Sequence, residues 1–215
     1  MKKIVVISDT HGKESWLDLP KCDILIHCGD FHITSRSELD YANYWFKNQN
    51  ADIKLFSAGN HDTFLEEIGK DKCKELLTHV RYLENETIEV EGLKMYFSHH
   101  TPFFNSWAFM YPRRSLDAKR IWEKIPYGLD FLITHGPAYQ ILDYSKFENK
   151  SVGCEVLQRE IFKKQPSTHL YGHIHENGGQ HINTSGIDFY NCSVLNGEYK
   201  LVNQPTVIEV KDATI

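Results

Sequence analysis

Hydrophobic and polar positions alternate along the chain in two rhythms. Short apolar runs without a polar face recur at Ile4–Ile7, Asp23–His27 (DILIH), Ile53–Ser57, Asp130–Ile133 (DFLI) and His169–Tyr171, and predict strands buried on both sides. Helical spacing fills the intervals. Ser37–Lys47 follows a serine cap and carries Leu39, Ala42, Tyr44 and Phe46; Phe64–Leu77 contains Gly69 as a break; Leu116–Ile125 and Gly153–Lys164 complete the set. Thr87–Val90 and Leu93–Phe97 flank Glu91-Gly92, which predicts a hairpin. From Gln180 to Val210 the chain is turn-rich, with short β-runs around Thr184-Ser185-Gly186 and Asn196-Gly197. Alternating strands and helices predict α/β layers. With no internal repeat, low-complexity tract or linker, residues 1–215 are expected to form one domain.

The strand ends carry the chemistry. Five of them finish in polar residues, nearly always beside a glycine: Asp9 and His11, Asp30, Asn60 and His61, His135, and His173 and His175. Asp9 and His11 are two apart, so on an extended chain they leave the same side of the backbone. Ligands of open α/β sheets gather at the carboxyl ends of strands, where tips distant in sequence converge. The converged set holds two carboxylates, one amide oxygen and four imidazoles, with His61 left over. Seven ligands exceed one tetrahedral ion and suit two divalent ions sharing a carboxylate. Without a thiolate, the donors fit Mn, Fe, Zn, Co or Ni better than Ca or Mg. Each residue alone has an ordinary reading, as a cap, a turn residue or a core histidine. Five successive strand ends are what tell against it. His27, His79, His169 and His181 keep the ordinary reading, while His32, His99 and His100 lie close to the motif loops.

Composition narrows the partners. The chain has 215 residues, 41% hydrophobic and 25% charged, as in an ordinary globular protein. Its formal net charge of −5 offers no basic field to duplex nucleic acid, although bound cations could make one pocket positive. Only four apolar residues follow Met1-Lys2-Lys3, too few for a signal-peptide core, and no run is long enough to span a membrane. A cytoplasmic protein is expected. The five cysteines are dispersed and form no C-x-x-C pair, so free thiols are expected rather than disulfides or a thiolate zinc site. Nothing in the sequence sets an oligomeric state.

Asp9-x-His11, Gly29-Asp30, Gly59-Asn60-His61-Asp62, Thr134-His135-Gly136-Pro137 and Gly172-His173-x-His175 resemble, in order, the five motifs of the calcineurin-like metallophosphoesterase superfamily. A closer resemblance is to its short metallophosphoesterase-domain-containing subgroup. That one rests on Thr101-Pro102-Phe103-Phe104, Trp107-Ala108-Phe109, Val152-Gly153-Cys154, Gly172–Glu176 followed by Gly178, and Asn191-Cys192-Ser193. The resemblance implies a four-layer αββα sandwich of two mixed sheets flanked by helices. It implies one metal site of Asp9, His11, Asp30 and His175, and a second of Asp30, Asn60, His135 and His173, with Asp30 bridging. Manganese is the ion expected to serve in vitro. His61 resembles the family histidine beside the substrate phosphate, and Asp62 a partner that orients its loop. The implied activity is hydrolysis of a small phosphate ester, more readily a diester, with cyclic nucleotides among the candidates, by attack of a metal-bridging hydroxide. Asn60, His61, Trp107 and Phe109 are the expected substrate contacts, the two aromatics as a stacking wall; packing of the aromatic stretch 99–114 as a plug is the alternative. The other functions to weigh are a nuclease on the same site and a scaffold of this fold without turnover. One departure is Arg114, in Tyr111-Pro112-Arg113-Arg114, where a glycine is expected.

Overall fold

The structure, a computed structural model, describes residues 1–211. In chain order the strands are β1 (Lys2–Ile7), β2 (Cys22–His27), β3 (Ala51–Phe56), β4 (Arg81–Tyr82), β5 (Glu86–Val90), β6 (Leu93–Ser98), β7 (Thr101–Pro102), β8 (Met110–Tyr111), β9 (Phe131–Thr134), β10 (Tyr144–Ser145), β11 (Lys150–Ser151), β12 (Thr168–Tyr171), β13 (His181–Thr184), β14 (Ile187–Asn191) and β15 (Thr206–Val210). The helices are α1 (Arg36–Lys47), α2 (Thr63–Ile68), α3 (Lys70–Leu76), α4 (Leu116–Trp122) and α5 (Glu155–Lys164).

Two mixed sheets result. The first has the order β15-β1-β2-β3-β4, with β1 to β4 parallel and β15 antiparallel to β1. The second has the order β13-β14-β12-β9-β6-β5, parallel in its four central strands and antiparallel at both edges. The period-2 alternation of strand side chains then fixes the layers. Ile4, Val6, Ile24, Ile26 and Leu55 meet Met95, Phe97, Phe131, Ile133 and Leu170 between the sheets. Val5, Ile7, Leu25 and Phe56 point outward onto Leu39, Ala42, Phe46, Leu65 and Cys73 of α1, α2 and α3. On the far side Leu132, Tyr171 and Phe189 pack with Trp122 of α4 and Leu157 and Ile161 of α5. The molecule is the four-layer αββα sandwich, and the run Ile4–Ile7 is buried on both faces because each face belongs to a different layer.

Local signals hold with small shifts. Ser35 caps α1 by accepting the Glu38 N–H. Gly69, at φ 79°, divides α2 from α3. Glu91 and Gly92 both take positive φ, 56° and 76°, as the two-residue turn from β5 to β6 requires. α4 stops at Trp122, short of the expected Ile125, whose N–H closes a turn onto the Trp122 carbonyl. Strands β4, β7, β8, β10 and β11 have two residues each and were not expected, since no period can register in two positions. Of the domain expected over 1–215, residues 212–215 lie outside those described. Among the described residues no helix is long and apolar enough to cross a membrane.

Candidate metal centre

The ends of β1, β2 and β3 in one sheet and of β9 and β12 in the other meet at a single place. Backbone bonds tie the tips together: Asp9 N–H to the Gly29 carbonyl at 2.9 Å, His11 N–H to Asp30 at 3.2 Å, and Gly172 N–H to His135 at 2.9 Å. Asp9, His11 and His175 form one group whose ligand atoms lie within 4.8 Å of one another, and Asp30, His135 and His173 form a second. Asp30, a member of the second group, also reaches a histidine of the first. Its Oδ2 lies 3.5 Å from His11 Nε2 and its Oδ1 3.4 Å from His135 Nε2. Asn60 Oδ1 is 3.0 Å from the same His135 nitrogen, and Asp9 Oδ1 is 3.3 Å from His175 Nε2. All seven residues expected at the strand tips are thus assembled.

Three observations make this set fit divalent metal ions. His11 Nε2 is buried without a hydrogen-bond partner, an arrangement that costs free energy unless something else occupies the lone pair. His135 Nδ1 sits 3.1 Å from the Cys28 carbonyl, to which it donates, and this leaves Nε2 as the free donor atom facing Asp30 and Asn60. Four of the seven residues, Asp9 (56°), His11 (46°), Asp30 (56°) and His173 (69°), take left-handed φ, a strain of about 1–3 kcal/mol each that surroundings must impose. The adjoining glycines leave the room. A Cβ at Gly172 would lie 2.0 Å from Asp9 Oδ2, and one at Gly59 would lie 2.2 Å from Asp30 Oδ1.

Electrostatics without ions consist of two buried pairs. Burial works to raise Asp30, but the charge and hydrogen bond of His135, then the charge of His11, hold it well below the carboxylate range. Burial likewise works to raise Asp9, and the hydrogen bond and charge of His175 outweigh it. In return, His135 is pressed down by burial yet lifted to about 9 by Asp30. His175 rises through Asp9 against burial. His11 and His173 are lowered to about 4 and about 3, chiefly by burial. Without ions, these pairings favour the protonated forms of His135 and His175, whose nitrogens divalent ions would otherwise claim.

Asp62 is the clamp between the second and third tips. Its Oδ2 accepts the N–H groups of Gly59 (2.8 Å) and Asp30 (3.0 Å), and its Oδ1 those of His32 (2.8 Å) and Ile33 (2.9 Å). Burial, then the charge of Asp30, pushes its carboxyl up to about 7 against these bonds. His61 is half-buried, its N–H donates to Asp30 Oδ1 at 2.8 Å, and its ring lies 4.1 Å from Trp107 and 5.0 Å from His11. Burial lowers the His61 imidazole, with the charge of Asp30 opposing.

A cleft of about 600 Å³ opens from Asp30, Asn60, His61, His173 and His175, and its aromatic walls are Phe103, Phe104, Phe147 and Tyr199. The expected wall of Trp107 and Phe109 is corrected at Phe109. Phe109 is 8% exposed and packs in the core beside α1–α3, its ring 4.2 Å from His99. Trp107 is 40% exposed and lies against the His61 ring at 4.1 Å. The replacements touch the centre directly: Phe104 lies 5.3 Å from His173, and Tyr199 meets His11 at 5.0 Å and His175 at 4.9 Å. Phe103 and Phe104 lay within the stretch singled out by sequence. Phe147 and Tyr199 sit in turns and carried no signal.

The remaining histidines separate cleanly. His27 bonds Thr10 Oγ1 and accepts the Gly29 N–H, His169 bonds Thr134 Oγ1, and His181 pairs with Asp188. His99 and His100 stack on each other at 4.2 Å, and His32 stands beside His11 and His61. Arg114 takes φ 53°, the conformation a glycine would supply, and bonds Glu155 Oε1 at 3.0 Å.

Comparison with known proteins agrees with this geometry. The model of the calcineurin-like phosphoesterase family matches residues 2–177. The human metallophosphoesterase domain-containing protein 1 is 34% identical over 233 residues, covering 97% of this chain and 71% of that protein. Among solved structures, the phosphopantetheinyl hydrolase of Mycobacterium tuberculosis superposes with a TM-score of 0.62 at 16% identity, over 92% of this chain and 90% of that one. An archaeal phosphodiesterase superposes with a TM-score of 0.53 at 19% identity, over 96% and 93%. At those identities the likeness to the two structures is one of fold.

Proposed function

The chain belongs to the calcineurin-like phosphoesterase family, and from that premise we propose that it is a binuclear metal-dependent hydrolase of small phosphodiesters. The observation that carries the reading is Asp30, whose two oxygens reach a histidine of each ligand group. In this reading Asp9, His11, Asp30 and His175 would hold one ion, and Asp30, Asn60, His135 and His173 the other. When bound, the ions supply positive charge to the phosphate oxygens and lower the pKa of the water that serves as nucleophile.

The protein's own residues do the rest. Asn60 and His61 line the cleft beside the ligand groups, where the phosphate would bind. His61, fixed between Trp107 and the Asp30 loop, donates a proton or hydrogen bond toward the leaving oxygen. Asp62 holds both loops in register through four backbone N–H groups. No serine or cysteine nucleophile is assigned, so the reading needs no covalent intermediate.

The preference for diesters rests on charge and room. Arg113 donates to the Gly153 and Val152 carbonyls and to Glu155, and Lys150 pairs with Glu148 at 2.8 Å. Glu148 and Glu176 line the same cleft. With its cations already partnered, the cleft suits a monoanionic diester better than a dianionic monoester, and its volume accepts a second ester group. The aromatic walls would favour a flat substituent there.

The test is manganese-loaded protein assayed on bis(p-nitrophenyl) phosphate and p-nitrophenyl phosphate, with Asp30→Ala as the control. Faster diester hydrolysis and loss of both metal and activity in the variant are expected. Two bound ions with no turnover on any ester would point to the scaffold, and hydrolysis confined to monoesters would overturn the diester assignment.

A further inference from the structure

One imidazole at the mouth of the centre is used neither as a proposed ligand nor as the proposed proton donor. Ring nitrogens of His11, His32 and His61 lie within 4.8 Å of one another, and the His32 ring centre is 5.8 Å from His11 and 6.1 Å from His61. His32 is exposed, so its ring packs no core. Its backbone nevertheless takes φ 80°, unfavourable for any residue with a side chain. Asp62 Oδ1 holds it there by accepting the His32 N–H at 2.8 Å. Strain of this kind persists where the surroundings over-determine it, and here no burial of the ring offsets it. What the conformation secures is the ring's place beside His61.

The cleft's lining includes His61, and His11 and His32 stand directly behind it. A phosphate ester bound against His61 with its larger group in the cleft would bring its oxygens toward both His61 and His32, whose ring nitrogens lie within 4.8 Å of each other. We propose that His32 donates a hydrogen bond from its imidazole to the bound phosphate ester on the side from which the leaving group departs, alongside His61. The proposal deepens, and rests on, the hydrolase reading above. It assigns His32 to substrate, a role the five family motifs do not give it.

Two substitutions separate this role from a structural one. His32→Gly removes the ring and relieves the left-handed backbone; His32→Asn tolerates that backbone and keeps a donor. Melting temperature, metal content, orthophosphate affinity of manganese-loaded protein and diester hydrolysis are measured for each. Both variants should retain two ions and melt close to the wild type. His32→Gly should bind orthophosphate roughly ten- to a hundred-fold more weakly, as expected for a lost hydrogen bond to a charged group, with His32→Asn in between. Unchanged phosphate affinity and turnover in His32→Gly, while the wild type hydrolyses diesters, would overturn this inference alone. Weaker phosphate binding in the variant of a wild type that hydrolyses nothing would sustain it and sink the hydrolase reading. A third ion in the wild type that is lost with His32 would assign the residue to metal and also overturn it.

Discussion

Gly59→Ala is the sharpest test of how tightly the centre is built. Gly59 does not have a left-handed φ, so alanine meets no backbone objection; the obstacle is space. A Cβ there would lie 2.2 Å from Asp30 Oδ1 and 2.4 Å from Asp30 N, short of ordinary contact at 3.4 Å by about 1.2 and 1.0 Å. His135 Cε1, at 2.7 Å, closes the third side. Neither a backbone nitrogen nor an imidazole held by the Cys28 carbonyl gives way cheaply. Overpacking of this kind costs about 1–3 kcal/mol, and for a chain of this size each kcal/mol lowers the melting temperature by about 2–4 °C. The larger effect falls on chemistry, because the displaced group is the proposed bridging carboxylate. Elemental analysis should find both ions lost or reduced to one, and diester hydrolysis abolished. Gly92→Ala is the control. Its φ is 76° with nothing within 4 Å, so alanine there pays about 1–2 kcal/mol in strain yet leaves the centre intact. Full metal content in Gly59→Ala would refute the reasoning, and so would metal loss in Gly92→Ala at equal destabilisation.

Three other outcomes follow. His61→Ala should keep two ions and lose about 10²–10⁴-fold in turnover; release of an ion would make His61 a ligand. In metal-free protein His135 titrates at about 9 against an ordinary 6.5, so the stability from its pairing with Asp30 is present at low pH and lost as pH rises through 9. The lowered histidines act below 6.5 and Asp62 below about 7, so melting should fall between pH 7 and 9 without metal and stay flat with it, and metal loading at pH 7.5 should release protons measurable by calorimetry in buffers of different ionisation heat. A flat metal-free curve would refute the pairing. Phe109→Ala should cost about 3–5 kcal/mol of stability as a core deletion, whereas Phe104→Ala should leave the melt nearly unchanged and raise the Michaelis constant for diesters with an aromatic group; the reverse pattern would return Phe109 to the cleft.

The alternation of strands and helices was legible because buried strands and amphipathic helices have different periods. Ile4–Ile7 reads as buried on both faces, and Val5 and Ile7 do meet α1–α3 while Ile4 and Val6 meet the second sheet. That there are two sheets rather than one was not in the pattern. An apolar run looks the same whether its second face meets a helix or another sheet, so the four layers entered through the motif resemblance. The antiparallel β15 was also hidden: its partner β1 lies some two hundred residues away, and no local signal encodes that pairing.

The centre was legible for a different reason. A ligand must be a particular atom type, and strand tips confine it to a particular place, so Asp9, His11, Asp30, Asn60, His135, His173 and His175 stand out as residue types at repeated structural positions. A cleft wall has no such requirement. Any aromatic at roughly the right distance serves, and Phe103, Phe104, Phe147 and Tyr199 reach the same volume from three separate segments. Trp107 and Phe109 resemble wall residues equally well in sequence, but Phe109 turns inward. Its N–H is held by Glu66 Oε1 at 2.7 Å and its φ is 57°, and its ring packs in the core 4.2 Å from His99. The Asp62 clamp shows what sits between these extremes. Its residue type was visible in Gly59-Asn60-His61-Asp62, while its reach to Asp30, His32 and Ile33 depends on β2 and β3 being neighbours in register. It follows that the chemistry of this centre is written locally and its selectivity is written in the packing, so variants at the strand tips should decide whether the protein acts, and variants on the walls should decide on what.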